Sequence, residues 1–177
     1  MALAHHRHKL SALMRRRIYM VRTMLALILV TLVFAVLGGL SLSLQSGVTQ
    51  SFTSKELGMA FKYPAPYTLS MTTSGVTLSL SNDPDKKILA SKYGSYFDDV
   101  DSHIHYTVGM WRTQPDKMVP AVNNSGNRGM MIEGTDVTST YRIYYFVKDY
   151  AVYQLETSSP SLFSDLDAIA QSFRIIQ

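Results

Sequence analysis

The amino-acid sequence predicts an α+β protein in which an N-terminal transmembrane helix precedes an antiparallel β-sheet sandwiched by helices. Three observations lead to this prediction. Residues 24–44 form an apolar run without a charged side chain. Residues 141–147 and 150–157 are rich in β-branched and aromatic side chains, which favours two strands. Residues 159–174 combine a proline near a helix start with apolar side chains at helical spacing.

The apolar run Met24–Leu44 has the length of a membrane span. As a helix, its 21 residues reach about 31 Å, close to the thickness of a bilayer's hydrocarbon core. Residues 1–23 carry six Lys or Arg and no acid, and such flanks stay in the cytoplasm. The predicted organisation is a basic cytoplasmic tail (1–23), a transmembrane helix (24–44), a polar linker (45–54) and an extracytoplasmic domain (55–177).

A cleavable signal peptide is the alternative interpretation of the apolar run. The basic start fits a signal peptide, and Ser41 and Ser43 could serve as the small residues of a cleavage site. However, the run exceeds the usual apolar region of about 7–15 residues, and no Ala-x-Ala pattern follows it. The sequence therefore favours a retained anchor over a cleaved signal.

Charge and cysteine content exclude several classes of function. The net charge of +4 is unevenly spread, because residues 1–44 carry +6 and residues 45–177 carry eleven basic against thirteen acidic side chains, or −2. The predicted domain is therefore slightly acidic, and we expect no nucleic-acid partner. The absence of cysteine excludes disulfides, cysteine-based metal sites, thiol catalysis and a lipidated-cysteine anchor.

Between the linker and the hairpin, the sequence predicts short strands and helices. Met59–Tyr63 alternates between apolar and other side chains as a strand does, and Pro64 ends it. The other predicted elements are strands at 67–71 and 76–80 around a turn at 72–75, a turn at 82–85, a short helix at 86–92, an acidic loop at 98–102, a strand at 103–112, a helix at 114–122, a loop at 123–127 and a strand at 128–133.

The hairpin and the last helix predict how the sheet is covered. Residues 141–147 and 150–157 flank Lys148-Asp149, and both alternating sets of side chains in residues 141–147 are apolar. A strand that is apolar on both faces belongs in a sheet covered on both sides. Ser159 and Pro160 predict the start of a helix. Its apolar stripe consists of Leu162, Leu166, Ile169, Ala170 and Phe173.

The two ends of the predicted domain resemble PsbP-like domains. The stretch Lys55-Glu56-Leu57-Gly58-Met59-Ala60-Phe61-Lys62-Tyr63-Pro64 is similar to the opening of those domains, where a glycine, an aromatic strand and a proline begin the fold. The closing Gln171-Ser172-Phe173-Arg174 is similar to their ending. The resemblance covers residues 52–177 and implies an antiparallel sheet sandwiched by helices. It also implies an assembly or binding module, and it brings no catalytic residues.

His103 and His105 are the candidate metal ligands of the predicted domain. On a strand they would share one face, and Asp98, Asp99 and Asp101 precede them, so the group could bind Zn²⁺ or Mn²⁺. We favour the simpler interpretation, an acidic loop leading into a strand with two surface imidazoles, because no third ligand stands at a set spacing. We likewise interpret the histidines of the tail, at positions 5, 6 and 8, as solvated.

Aromatic side chains crowd the predicted hairpin and form a candidate surface for partner binding. They are Tyr141, Tyr144, Tyr145, Phe146, Tyr150 and Tyr153. Such a surface could stack the sugars of a cell-wall polymer or anchor a protein partner. The alternative, which we favour, places them in the core and at the sheet edge, because strands select aromatic residues anyway. We also expect Trp111 to be a core residue.

No motif marks a catalytic site. The sequence lacks a Gly-x-Ser-x-Gly elbow, a His-Glu-x-x-His helix and a phosphate-binding glycine loop. We therefore predict a protein without enzymatic activity, cofactor or resident metal: a single-pass, membrane-anchored, extracytoplasmic binding or scaffold module of the cell envelope. Its expected partners are the membrane and an envelope protein or cell-wall component. The alternative function is a membrane-tethered hydrolase whose site is assembled by the fold.

Overall fold

The computed structural model describes residues 48–111 and 113–176. The predicted cytoplasmic tail, the transmembrane helix and the start of the linker lie outside the described residues. Within the described ranges, no helix has the length and apolar character needed to cross a bilayer.

The described residues form ten strands and two α-helices. In chain order they are β1 (Thr49–Ser54), β2 (Met59–Pro64), β3 (Tyr67–Met71), β4 (Gly75–Leu80), β5 (Asp83–Gly94), α1 (Val100–Gly109), β6 (Lys117–Val122), β7 (Arg128–Thr135), β8 (Thr140–Lys148), β9 (Ala151–Thr157), a 3₁₀ turn (Pro160–Leu162), α2 (Phe163–Ser172) and β10 (Arg174–Ile175).

Seven of the strands make one antiparallel sheet in the order β3-β4-β5-β9-β8-β7-β6. Neighbours along the chain pair as hairpins, except that β5 lies beside β9, which follows it after α1 and three strands. The remaining strands make a small sheet in the order β1-β2-β10. The predicted α+β class and the predicted antiparallel sheet are confirmed.

Both faces of the large sheet are covered at β8, whose two alternating sets of side chains are apolar. Ile143 and Tyr145 point toward α1, and they pack with its buried stripe of Val100, Ile104 and Val108. The alternate side chains Tyr144 and Phe146 point to the opposite face and pack with α2. That second core also contains side chains of β1 and β2, so α2 shares the cover of this face with the small sheet.

Residues 100–109 form a helix, so the predictions of an acidic loop at 98–102 and a strand at 103–112 are wrong. The side chain of Asp99 caps α1 by accepting a hydrogen bond from the backbone nitrogen of Ser102 at 2.8 Å. Val100, Ile104 and Val108 are buried at a spacing of four, which is a helical stripe. The alternation of apolar and polar residues in His103–Trp111 resembles a strand but does not match the burial.

Two predicted helices, at 86–92 and 114–122, are strands in the structure. In β5 the buried Ile88 and Ala90 alternate with more exposed neighbours, and pairing with β4 and β9 overrides local helix propensity. β6 is an edge strand that contains Pro120, and edge strands are where a sheet tolerates proline. That proline is also a poor residue for a helix interior.

Residues 49–54 form strand β1 rather than part of the flexible linker predicted over 45–54. Phe52 is buried, and its ring lies 5.0 Å from that of Phe61 on β2, measured between centroids. The turn between the two strands ends at Gly58, whose φ of 66° favours glycine. The carbonyl of Gly58 accepts a hydrogen bond from the backbone nitrogen of Ile176, so this turn lies beside the C-terminal end of the domain.

The predicted strands at 59–63, 67–71, 76–80, 128–133, 141–147 and 150–157 are confirmed, with small shifts at their ends. The hairpin turn is Asp149-Tyr150 rather than Lys148-Asp149. The last helix is confirmed, but α2 begins at Phe163 after the 3₁₀ turn, and Ser159 makes no side-chain capping hydrogen bond.

Candidate functional site: the Trp111 cleft

An open cleft lies on the α1 side of the large sheet, beyond the end of the helix. Its volume is about 430 Å³, within the range of small-molecule sites. Trp111 and Tyr141 form part of its wall, and the carboxylates of Asp136 and Glu156 line it as well. A second cavity of about 170 Å³ adjoins it and shares Tyr141, Glu156 and Ser158. We call the two cavities together the Trp111 cleft.

The cleft exists because α1 is short. The helix packs on β7 and β8 and ends at Gly109, so the neighbouring part of the sheet face is left uncovered. The backbone nitrogen of Trp111 donates to the carbonyl of Val108 at 3.1 Å, which places the indole beside β8. There the indole meets the ring of Tyr141 edge-on, with centroids 6.1 Å apart and planes at 86°. This arrangement is one that aromatic pairs prefer.

Tyr141 is positioned by the strand beside it. Its partner in the register of β7 is Gly134, and the Tyr141 ring occupies the space where a side chain at that glycine would lie. Burial, followed by the charges of Asp116 and Asp136, raises the pKa of the Tyr141 hydroxyl. At neutral pH the hydroxyl therefore keeps its proton and can donate a hydrogen bond to a ligand.

The two carboxylates lie on opposite sides of Tyr141 along the sheet. Asp136 begins the turn between β7 and β8, where its Oδ1 accepts hydrogen bonds from the backbone nitrogens of Thr138 and Ser139, each at 2.8 Å. These bonds hold the pKa of Asp136 below its ordinary value, so it is charged at neutral pH. Glu156 lies on β9 and accepts a hydrogen bond from Gln154 at Oε2, at 2.8 Å.

The cleft therefore offers two aromatic rings, hydroxyl groups and two acidic acceptors. The smaller cavity adds Lys87 from β5, so side chains of both signs line the cleft. Neither His103 nor His105 is among the residues lining it. Such a surface can bind a polar molecule that also has an apolar face.

The arrangement of strands and helices is similar to that of two solved structures. One is the solution structure of cyanobacterial PsbP (CyanoP) from Synechocystis sp. PCC 6803, with a TM-score of 0.53 and 12% identity over 74% of this chain and 95% of that one. The chain has a PsbP-like fold. The other is a crystal structure from Bacteroides thetaiotaomicron VPI-5482, with a TM-score of 0.51 and 6% identity over 72% of this chain and 48% of that one.

These likenesses concern the fold alone, because the identities are low. The sequence matches no protein-family profile. No curated protein matches it either.

In the PsbP-like domain, the candidate metal ligands His103 and His105 do not share a face. Both lie on α1, where side chains two residues apart point in directions about 160° apart. His103 is buried, whereas His105 and Asp101 are exposed. Over residues 48–111 and 113–176, no three His, Asp or Glu side chains come together as a group that could hold a metal ion.

His103 instead belongs to the core beneath α1. Its Nδ1 lies 3.1 Å from the hydroxyl of Ser95, and its Nε2 lies 3.4 Å from the hydroxyl of Thr107. Its ring packs between those of Tyr93 and Tyr145, with centroids at 6.1 and 5.8 Å. Burial lowers the pKa of His103, so the neutral ring is favoured.

The candidate partner-binding tyrosines are not brought to one surface. Tyr144 and Tyr153 are buried on the α2 side of the sheet. Tyr141 lies in the Trp111 cleft on the opposite face, and Tyr150 is exposed at the hairpin turn. The alternation of side chains along β8 and β9 separates them.

Sequence reasoning missed Asp136 and Glu156, and it placed Trp111 in the core, whereas the indole is only partly buried. One signal was available, because Asp136-Val137-Thr138-Ser139 has the composition of a turn stabilised by an aspartate side chain. For Glu156 the sequence carries no such signal, since its neighbours in the cleft come from other strands.

Proposed function

We propose that this protein is a single-pass membrane protein whose PsbP-like domain acts outside the cytoplasm as a binding or scaffold module of the cell envelope. The apolar run at 24–44 and the six basic side chains before it support the anchor and its orientation. The observation that carries the binding function is the Trp111 cleft, which combines an aromatic wall with charged and hydroxyl groups.

Binding is better supported than hydrolysis. Asp136 and Glu156 line one cleft, and paired carboxylates are the feature that would favour a tethered hydrolase. In a carboxylate pair that hydrolyses a glycosidic bond, one member is a proton donor with a raised pKa. Hydrogen bonds lower the pKa of Asp136, and its side chain is exposed, so Asp136 does not have the properties of that proton donor. Neither His103 nor His105 lines the cleft to act as a base.

The orientation can be tested with single cysteines, because the natural sequence contains none. Val137 is fully exposed in the domain, so Val137→Cys should react with a membrane-impermeant maleimide in intact cells. Ala4→Cys in the tail should react only after the cells are permeabilised. Both variants should remain in the membrane fraction. Labelling of Ala4→Cys alone in intact cells, or recovery of the Val137→Cys protein without its first 44 residues, would contradict the proposed anchor.

The binding function can be tested by photocrosslinking in cells. A photoreactive amino acid at Ser158 would lie in the cleft. The control position is Tyr96, which is exposed and lies two residues after Gly94, the residue of β5 that pairs with Ala151 at the other end of β9. A binding module should give a discrete adduct from position 158 and none of the same mass from position 96. The proposal would be abandoned if neither position gave an adduct, or if both gave the same one.

A further inference from the structure

We propose that the Trp111 cleft binds an oligosaccharide, with a pyranose ring packed against Trp111 and Tyr141 and its hydroxyl groups bonded to Asp136 and Glu156. This inference rests on the proposed binding function and specifies its ligand. The wall of the cleft, its polar groups and its length support it.

The aromatic wall matches the apolar side of a sugar ring. A pyranose carries its C–H bonds on two faces and its hydroxyl groups around the edge, so one face can pack on a ring while the edge forms hydrogen bonds. Trp111 and Tyr141 present large apolar areas, and both are partly exposed at the cleft. The backbone hydrogen bond from Trp111 to Val108 and the edge-on contact with Tyr141 hold the indole in place, which lowers the entropy cost of binding.

The polar side chains of the cleft suit a ligand with hydroxyl groups better than a cationic or anionic ligand. Carboxylate oxygens accept hydrogen bonds, so Asp136 and Glu156 suit the hydroxyl donors around a sugar. Gln154 already donates to Oε2 of Glu156, so Oε1 is the oxygen that a ligand would reach. Lys87 at the far cavity would repel a polyamine, and the two carboxylates would repel an anion. A neutral ligand that both donates and accepts can pair with all three.

The length of the cleft favours a chain of sugars over a single one. The two cavities, of about 430 and 170 Å³, adjoin at Tyr141, Glu156 and Ser158. Together they run from Trp111 across β8 and β9 to Lys87 on β5. A ring stacked at Trp111 would therefore leave the Lys87 end free for the next unit.

Tryptophan fluorescence tests this inference directly, because Trp111 is the single tryptophan of the sequence. The full-length protein would be purified in a polyoxyethylene detergent, which has no sugar headgroup. It would be titrated with tetramers of N-acetylglucosamine, of mannose and of α- and β-1,4-linked glucose, and with each monosaccharide. We expect a saturable change in emission with at least one tetramer, at a concentration about tenfold below that of its monosaccharide.

Variants locate the binding. Calorimetry should show that Glu156→Gln and Trp111→Leu each lower the affinity for the sugar tetramer about tenfold. Glu156→Gln loses a charge-assisted hydrogen bond, and Trp111→Leu loses the stacking surface. Tyr96→Leu, exposed at the other end of the sheet, should bind as the natural protein does. Glu156→Gln changes no volume, so it serves as the test if Trp111→Leu does not fold.

Three outcomes would overturn the inference. The first is no emission change and no heat with any tetramer. The second is binding that Glu156→Gln and Trp111→Leu leave unchanged, which would place the sugar elsewhere. The third is that the protein binds tetralysine but no sugar, and that Glu156→Gln weakens the binding of tetralysine. The ligand would then be a cation. If a Ser158 crosslink forms while the sugars fail, the binding function stands and only the ligand class is wrong.

Discussion

His103 is a neutral histidine held inside a core. Ser95 and Thr107 bond its two ring nitrogens, and the groups that face it from β5 and β8 are the rings of Tyr93 and Tyr145, which are uncharged at neutral pH. Burial raises the pKa of Tyr93 to about 12 and lowers that of His103. Protonating His103 would therefore place a charge at a buried position, where it loses hydration by water.

Lowering the pH below about 6.5, the ordinary pKa of histidine, should reduce the free energy of unfolding through His103. In that range the unfolded chain binds a proton at this residue while the folded protein does not, so stability rises with pH until 6.5 is passed. Chemical denaturation at pH 5 and pH 7.5 would show a smaller difference for His103→Gln than for the natural protein. His105→Gln, exposed on the same helix, is the control and should keep the full difference.

Gly58→Ala should lower the free energy of unfolding by about 1 kcal/mol or more, because a Cβ is strained at a φ of 66°. The added atom would also lie 3.1 Å from the hydroxyl of Tyr153 and 3.2 Å from the carbonyl oxygen of Ile176. Gly94→Ala is the matched control, since a Cβ there meets nothing within 4 Å. Equal urea midpoints for the two variants would contradict the role given to Gly58.

At the scale of elements, Asn123 joins the β6–β7 hairpin to the end of α2. Its side chain is buried, and its amide nitrogen donates to the carbonyl of Phe173 at 2.8 Å. Its Oδ1 accepts from the backbone nitrogens of Ser125 and Asn127, each at 3.0 Å. One amide thus makes hydrogen bonds to backbone groups of both the loop and the helix end. Asn123-Asn124-Ser125 matches the pattern for N-glycosylation, but a glycan on the Asn123 side chain would be incompatible with this packing.

Asn123→Ala should lower the free energy of unfolding by about 1 to 3 kcal/mol, because it leaves the buried carbonyl of Phe173 and two partly buried backbone nitrogens without this partner. Asn124→Ala is the control, since Asn124 reaches α2 through its backbone nitrogen and its side chain is exposed. Urea denaturation followed by circular dichroism would compare the two. A loss of equal size in both variants would show that the Asn123 side chain is not the link.

A second link between elements involves Arg142 on β8. Its guanidinium donates to Glu133 on β7 and to Asp167 on α2, and it lies 4.3 Å from the centre of the Phe163 ring. The hydroxyl of Tyr144 also donates to Asp167, at 2.9 Å. These contacts fix α2 against the strands on the face opposite the Trp111 cleft. Arg142 and Tyr144 therefore have a structural role in the hairpin, which explains their polar groups without a bound partner.

At the scale of the whole molecule, β1 makes residues 49–54 part of a sheet, so residues before 55 contribute to the folded domain. A fragment of residues 48–177 should unfold cooperatively. A fragment of residues 55–177 should be less stable by at least about 3 kcal/mol, because it lacks Phe52 and leaves one edge of β2 unpaired. Urea denaturation of the two fragments tests this, and equal midpoints would return residues 48–54 to the linker.

The burial of the hairpin could be predicted from the sequence because it depends on the alternation of neighbouring side chains. In β8, the alternation of Ile143 and Tyr145 with Tyr144 and Phe146 predicts a sheet with two covered faces, and the structure confirms it. The segments whose secondary structure was predicted wrongly have patterns that are weak or that fit both a strand and a helix. His103–Trp111 alternates like a strand, while Val100, Ile104 and Val108 repeat like a helix, and the cap at Asp99 decides between the two.

The sequence by itself determined the two-faced hairpin and the closing helix, because side-chain periodicity over a few residues decides which faces are buried. The PsbP-like fold was implied by a resemblance at the two ends of the domain, and the comparison with solved structures supports it. Only the tertiary structure decided that β5 is a strand beside β9, and that Trp111, Asp136 and Glu156 line one cleft. These residues lie far apart in the chain. Their meeting depends on strand order and on where α1 stops covering the sheet, and both arise from contacts between distant segments.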